Sequence, residues 1–193
     1  MNRTPPPCDL WVEAMTRSPD DIHDELLVLR CQDGETEAME ELVARWQQRL
    51  WRYAWHLTGK EDAAWDVVQE VWIAIVRGIR RLEDPARFRH WAYRLVTNKG
   101  ADWVRRQQRL RKLADDASGE VEPVAEPSSG DSIDGLRRAF GRLPTDCRAI
   151  LSLRYLQDVR LAEIARILEL PEGTVKSRLH HARNQLKSAL ERR

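Results

Sequence analysis

Leu161-Ala-Glu-Ile-Ala-Arg-Ile-Leu-Glu-Leu170 runs directly into Pro171-Glu-Gly-Thr-Val-Lys-Ser-Arg-Leu179. This stretch decides the fold of the C-terminal third. Leu161, Ile164, Ala165 and Leu168 recur at i, i+3, i+4 and i+7, which predicts one apolar helix face. Pro171 suits the first turn of a second helix, where its missing N–H costs little. In that second helix Val175, Leu179, Ala182 and Leu186 form the stripe to be buried. Thr174, Lys176, Ser177, Arg178 and His181 are left facing outward. Small Ala165 lets the two helices approach closely. A packed first helix and a second whose start can enter a major groove make a helix-turn-helix. The same spacing also fits an ordinary helical hairpin with a solvated, charged face.

Working outward, the rest of the chain is also helical in pattern. Glycine is sparse and strand-like alternation is absent, so the expected class is all-α. Helical patterns run roughly over 22–31, 35–58, 61–80 and 86–107, punctuated by Asp33-Gly34, Thr58-Gly59 and Asp84-Pro85. Four more are expected near 132–142, 144–156, 160–169 and 172–191. Between the two groups, 113–131 is acidic, rich in Pro, Ser and Gly, and poor in large apolar groups. Such a segment cannot bury enough surface to offset its ordering entropy, so it reads as a flexible linker. The expected organisation is a tail over 1–20, a helical domain over 21–112, the linker, and a second small domain over 132–193. All eight tryptophans precede the linker, seven of them from Trp46 to Trp103, which implies a substantial core in the first domain.

The net charge of +1 conceals blocks of opposite sign. Residues 1–76 sum to −8, 77–112 to +9, 113–134 to −7 and 135–193 to +7. Two basic modules separated by an acidic strip suggest two contacts with a polyanion. Cys8, Cys31 and Cys147 are odd in number and isolated, which reads as reduced thiols of a cytoplasmic protein. The most apolar run, Val71-Trp-Ile-Ala-Ile-Val76, is too short to span a bilayer, and the N-terminus has no signal-peptide core. His23, His56, His90, His180 and His181 are scattered, without a partner in a recognisable catalytic or metal-binding motif. No Gly-rich phosphate loop is present. Catalysis, a metal and a cofactor are therefore not expected.

Three segments together resemble the extracytoplasmic-function group of the sigma-70 family of bacterial transcription initiation factors. Ala64-Trp-Asp-Val-Val-Gln-Glu-Val-Trp72 is similar to that family's polymerase-binding signature. Phe88-Arg-His-Trp-Ala-Tyr-Arg-Leu-Val-Thr-Asn98, followed by Asp102-Trp-Val-Arg-Arg106, is similar to its promoter-melting and minus-ten segment. Leu143-Pro144 through Glu163-Ile-Ala165 and Gly173-Thr-Val-Lys-Ser-Arg178 is similar to its minus-thirty-five helix-turn-helix.

The resemblance implies roles. Asp66, Gln69, Glu70 and Trp72 would dock on the clamp helices of the polymerase β′ subunit, with β as a further contact. This chain has Trp65 where an acidic residue is common in the family, and Trp72 where Phe is usual. Arg87, Phe88, Trp91, Asn98, Lys99, Arg105 and Arg106 would act at the minus-ten element and in melting, since open bases stack on aromatic rings within a basic groove. Trp91 and Tyr93 are two apart and point differently, so one of them belongs to the core. Asp102 lies i+3 and i+4 before the two arginines and would order them. Gly173, Thr174, Lys176, Ser177, Arg178 and His181 would read the minus-thirty-five element, Arg as a bidentate guanine reader and Lys and Ser more as phosphate contacts. The linker would run near the RNA exit path, its charge imitating nucleic acid. The implied partners are core RNA polymerase, promoter DNA both duplex and melted, and an anti-sigma factor; neither membrane insertion nor a small-molecule substrate is implied. The rivals are a dimeric repressor or activator using the same helix-turn-helix, and an enzyme.

Overall fold

The computed structural model describes residues 18–117 and 132–191, with side chains over 18–113 and 135–191. Residues 1–17 of the tail and most of the linker thus lie outside the described residues; 18–20, read as tail, instead cap and open the first helix. Eight α-helices follow one another, with no strand among the described residues. They are α1 (Pro19–Asp33), α2 (Thr36–Thr58), α3 (Glu61–Gly78), α4 (Phe88–Ala117), α5 (Ser132–Gly141), α6 (Thr145–Leu151), α7 (Leu161–Leu168) and α8 (Glu172–Glu191). Two 3₁₀ turns, Ile79–Arg81 and Pro85–Arg87, join α3 to α4.

Local chemistry sets the boundaries. Ser18 and Asp21 form a capping box at the start of α1: the Ser18 hydroxyl accepts from the Asp21 N–H, and the Asp21 carboxylate accepts from the Ser18 N–H. Gly34 (φ 94°) and Gly59 (φ 71°) end α1 and α2 in the left-handed region, where a side chain would be strained. The Asp84 carboxylate accepts from the Ala86 N–H and caps the turn that launches α4.

Helices α1–α4 enclose the tryptophan-rich core. Trp46 is 1% exposed and meets the edges of Phe88 at 5.3 Å and Tyr93 at 5.8 Å. Tyr53 packs against Tyr93 at 5.5 Å, and its hydroxyl pairs with that of Thr97 at 2.8 Å. Gly100 lets α4 lie hard against α2, for a Cβ there would sit 2.8 Å from Leu57 Cδ1.

Two expectations are corrected. α4 does not end near 107 but continues through Ala117, into the stretch read as linker. Its last described turns are not packed, since Leu110 and Leu113 are exposed; the run of Arg, Gln, Leu and Lys carries the helix on its own propensity. The helix expected over 144–156 stops as α-helix at Leu151 and finishes in a π-helical turn, Ser152–Leu156.

The second module, α5–α8, does not stand apart from the first. Buried residues of both form one continuous cluster, in which α7 packs on α4 as well as on α8, and α6 packs on α2. This explains why Ile167, outside the face predicted from spacing, is 2% exposed while Leu161 and Leu168 are only half-buried: α7 has two partners to cover.

Candidate functional site

The helix-turn-helix is built as the spacing predicts, with one addition. The Arg160 N–H donates to the Glu163 carboxylate at 3.0 Å and starts α7. The turn is Glu169-Leu170-Pro171, with Glu169 in the left-handed region at φ 54°. There the Leu170 N–H closes onto the Ala165 carbonyl at 2.9 Å and satisfies the helix end. Val175, Leu179 and Ala182 of α8 are buried against it. Lys176, Ser177, Arg178 and His181 are exposed along one arc, with Thr174 half-buried at its edge. The Ser177 hydroxyl donates to the Thr174 carbonyl at 2.9 Å, and His181 Nε2 meets Gln185 at 2.9 Å. A Cβ at Gly173 would meet nothing within 4 Å, so the start of α8 is open to a large partner.

On α3, Asp66, Gln69 and Glu70 are exposed together, while Val67, Val68 and Val71 turn to the core. Trp72 is half-buried against the core, its indole N–H enclosed and without a partner. Glu70 accepts a hydrogen bond from Lys99 Nζ at 2.8 Å. Two residues assigned to different partners are therefore paired with each other.

α4 carries the minus-ten candidates unevenly. Arg87, Asn98, Arg105 and Arg106 are exposed. Arg87 pairs with Asp84 at 3.2 Å and Arg105 with Asp102 at 2.7 Å, so Asp102 does order one of the two arginines. Phe88 is a correction: it is 1% exposed, wedged against Trp46, and reaches no surface where a base could stack. Tyr93 is core as well, and its hydroxyl pKa is pushed up to about 12 by burial. Trp91 remains half-buried, held over Gly78, where a Cβ would come within 2.9 Å of the indole.

The first turns of α4 also meet the second module, through Arg89, His90, Tyr93 and Arg94, a seam that no local pattern announces. Arg89 Nη2 donates to the Gln157 carbonyl at 3.2 Å, and the Tyr93 hydroxyl to Gln157 Oε1 at 2.9 Å. Arg94 pairs with Glu169 in the helix-turn-helix turn at 2.7 Å. His90 Nε2 stands 3.6 Å from Glu163, just beyond hydrogen-bond reach. Burial opposes the Glu163 charge, but the His90 ring, the Arg160 N–H and Arg89 outweigh it and hold its pKa near about 2. On the α2 side, His56 packs edge-on against Phe140 at 5.6 Å, and burial lowers its pKa to about 4. Arg148 is buried beside Gly59, its pKa lowered by burial, with only a 3.4 Å contact to the Thr145 hydroxyl.

The seam is polar and incompletely satisfied. Both ring nitrogens of His90, Arg148 Nε, Ser152 Oγ and Gln157 Nε2 are buried without partners. Its contacts join residues more than sixty positions apart, so no local period could have revealed it. Elsewhere the chemistry is sparse. Among the described residues no His, Cys, Asp or Glu cluster could hold a metal ion. No helix there is long and apolar enough to cross a membrane. Cys31 and Cys147 are free thiols with pKa values raised by burial.

Comparison with known proteins agrees with this arrangement. Residues 42–110 match the family model for sigma-70 region 2, and 133–186 that for sigma-70 region 4. Over 166 residues the chain is 33% identical to the ECF RNA polymerase sigma factor SigE of Mycolicibacterium smegmatis; the match takes in 81% of this chain and 64% of that longer relative. It is 28% identical over 183 residues to the ECF RNA polymerase sigma-E factor of Escherichia coli K12, covering 88% of this chain and 95% of the relative. The structure of CnrH in complex with the cytosolic domain of CnrY superposes with a TM-score of 0.65 at 28% identity, over 88% of this chain and 97% of that one. With both regions present in order, and joined on the helices just described, the chain belongs to the extracytoplasmic-function group of the sigma-70 family of RNA polymerase sigma factors.

Proposed function

We propose that this sigma factor docks on core RNA polymerase through the α3 face of Asp66, Gln69 and Glu70, and then reads two promoter elements with different helices. Thr174, Lys176, Ser177, Arg178 and His181 of α8, with Gly173 at its start, read the minus-thirty-five duplex. Asn98, Lys99, Arg105 and Arg106 of α4, with Arg87 and Trp91 at its beginning, hold the minus-ten region and its opened strand. Trp72 anchors the docking helix from behind. The two units run from α1 to α4 and from α5 to α8, joined by the acidic stretch between them. The chain supplies no catalytic group; bond formation belongs to the polymerase, in the cytoplasm. An anti-sigma factor is a natural partner of a chain of this family; CnrH, 28% identical to this chain, was solved in complex with the cytosolic domain of CnrY.

One observation carries this reading: α8 keeps Lys176, Ser177, Arg178 and His181 exposed, with Thr174 at their edge, while Val175, Leu179 and Ala182 are buried. A second helix held that way, after a tight turn, supports reading of a major groove. The test is run-off transcription with core polymerase, with gel shifts of the same promoters with and without core. Arg178→Ala is expected to cost ~1–3 kcal/mol of discrimination at one or two minus-thirty-five positions and to leave pre-melted templates unaffected. Tight binding of palindromic duplex by the protein alone, independent of core, would instead make it a conventional repressor or activator.

A further inference from the structure

The α3 face that carries Asp66, Gln69 and Glu70 also carries large apolar side chains that the fold leaves uncovered. Trp65 is 41% exposed, Ile73 45% and Val76 56%. At 100° per residue, 65, 69, 73 and 76 fall along one continuous strip beside 62, 66 and 70. A helix in the middle of a well-packed module does not strand three such side chains on one strip by chance; uncovered apolar strips of this kind mark docking surfaces.

Trp65 is also held in place. Its ring lies 5.6 Å from that of Trp51, which stacks on Trp55 at 6.4 Å with the planes only 14° apart. Three indoles form a rack at the α2–α3 surface. A side chain already fixed this way loses little rotamer freedom when a partner covers it. The surrounding charge selects the partner. Asp62, Asp66 and Glu70 border the strip, against Arg77 at its far end and Lys99, which pairs with Glu70, so the border stays net acidic. Phosphates would be repelled, and so would a second copy presenting the same carboxylates. A basic helix with an apolar seam would be attracted on both counts.

We propose that Trp65, racked on Trp51 and Trp55, is an aromatic anchor of polymerase docking and, with Ile73 and Val76, makes that docking tolerant of salt. The proposal rests on the docking assignment above and adds residues to it. A carboxylate at position 65 would give an exposed charge pair, weakened by ions over a Debye length of roughly 8–10 Å. A buried indole is not screened, and Trp is among the residues that most often dominate interface energetics.

The experiment measures the affinity of the full chain for core polymerase from low to high salt, with folding followed by thermal melting. Trp65→Ala is expected to weaken binding by about tenfold or more at every salt concentration, as truncation of an aromatic anchor does. Trp65→Phe should stay within a few-fold of the parent. Trp65→Glu should bind well at low salt and lose affinity more steeply than the parent as salt rises. Ile73→Ser, which trims only exposed surface, should cost several-fold and supplies the answer should Trp65→Ala fold poorly. A double variant, Asp66→Lys with Glu70→Lys, reports on the docking assignment itself. If that double variant loses core binding while Trp65→Ala and Ile73→Ser match the parent, the anchor is refuted and the docking face stands. If none of the three loses affinity, the docking face falls and the anchor with it. Self-association of the parent without polymerase, abolished by Trp65→Ala, would assign the strip to a second copy and overturn the proposal.

Discussion

α4 and α8 are both basic helices assigned to promoter DNA, yet they are held in opposite ways. α8 buries a narrow stripe and leaves its reading arc open. α4 is engaged on two sides: Phe88 and Tyr93 lie in the core, and Arg89, His90 and Arg94 face the second module. Further along, Asn98, Lys99, Arg105 and Arg106 stay accessible to nucleic acid, although Lys99 is paired with Glu70 and Arg105 with Asp102. On the proposed reading, the difference separates a helix that would meet an undistorted duplex from one that also holds the fold and would act after docking. A rigid presenter suits the first task. The second suits a helix whose contacts can be exchanged.

The sharpest way to break this comparison is to test whether the start of α4 is structure or site. Phe88→Ala removes a ring enclosed by Trp46 and is expected to cost ~3–5 kcal/mol of stability, read by denaturant unfolding. Arg178→Ala on the exposed arc of α8 should stay within about 0.5 kcal/mol of the parent in the same measurement. A Phe88→Ala protein as stable as the parent but defective in strand opening would restore Phe88 to the site and remove the asymmetry.

What was legible in the sequence follows the same division. The helix-turn-helix could be read because its information is local: Ile164, Ala165, Val175 and Leu179 repeat at helical spacing, and Gly34, Gly59 and Asp84 mark ends that local chemistry dictates. The left-handed residue of its turn, Glu169, is not glycine and gave no signal. The resemblance assigned Phe88 to strand opening, but an aromatic at that position fits a core as well as a groove, and only the position of Trp46, 42 residues earlier in the chain, separates them. The seam was illegible for a further reason. His56, His90, Arg148, Gln157 and Glu163 are polar and follow no period, and residues of that kind ordinarily face water.

The seam offers a second, smaller test, through pH. Next to Phe140 the His56 imidazole has a pKa of about 4, lowered by burial, against an ordinary value of ~6.5 once water returns. The opened form therefore binds more protons between those two values, and closure weakens as pH falls below ~6.5. The ring is only half-buried and solvent still screens it, so at pH 5.5 the expected weakening is a few-fold in the closed-to-open ratio, with about tenfold as its ceiling. Glu163, with a pKa near about 2, stays ionised throughout and adds nothing to the change. Energy transfer between labels on α2 and α5 should report separation at pH 5.5 relative to 7.5, and His56→Gln should abolish the difference. Equal opening in that variant would remove His56 from the seam's balance and leave α4 no more conditional than α8 on this account.

The smallest expected effect concerns Lys99. Its ion pair with Glu70 is exposed on both sides, and such pairs are worth ~0–1 kcal/mol. That is enough to matter for a contact exchanged between partners. If polymerase takes Glu70, as proposed, the Lys99 ammonium would lose its carboxylate partner and be released for phosphate. Glu70→Gln imitates this step without polymerase. The free variant should bind a single-stranded minus-ten probe about two- to threefold more tightly, a modest gain of the size one surface pair allows. Its salt dependence should steepen by about 0.7 in the logarithmic slope, the increment for one added phosphate contact on a single strand. In a Lys99→Gln background the same Glu70→Gln change should do neither. If the gain survives without Lys99, it comes from removing a negative charge near the DNA, and the exchange between docking and reading is refuted. If both the gain and its dependence on Lys99 appear, α4 is the helix whose reading side is released by docking, whereas α8 needs no such release.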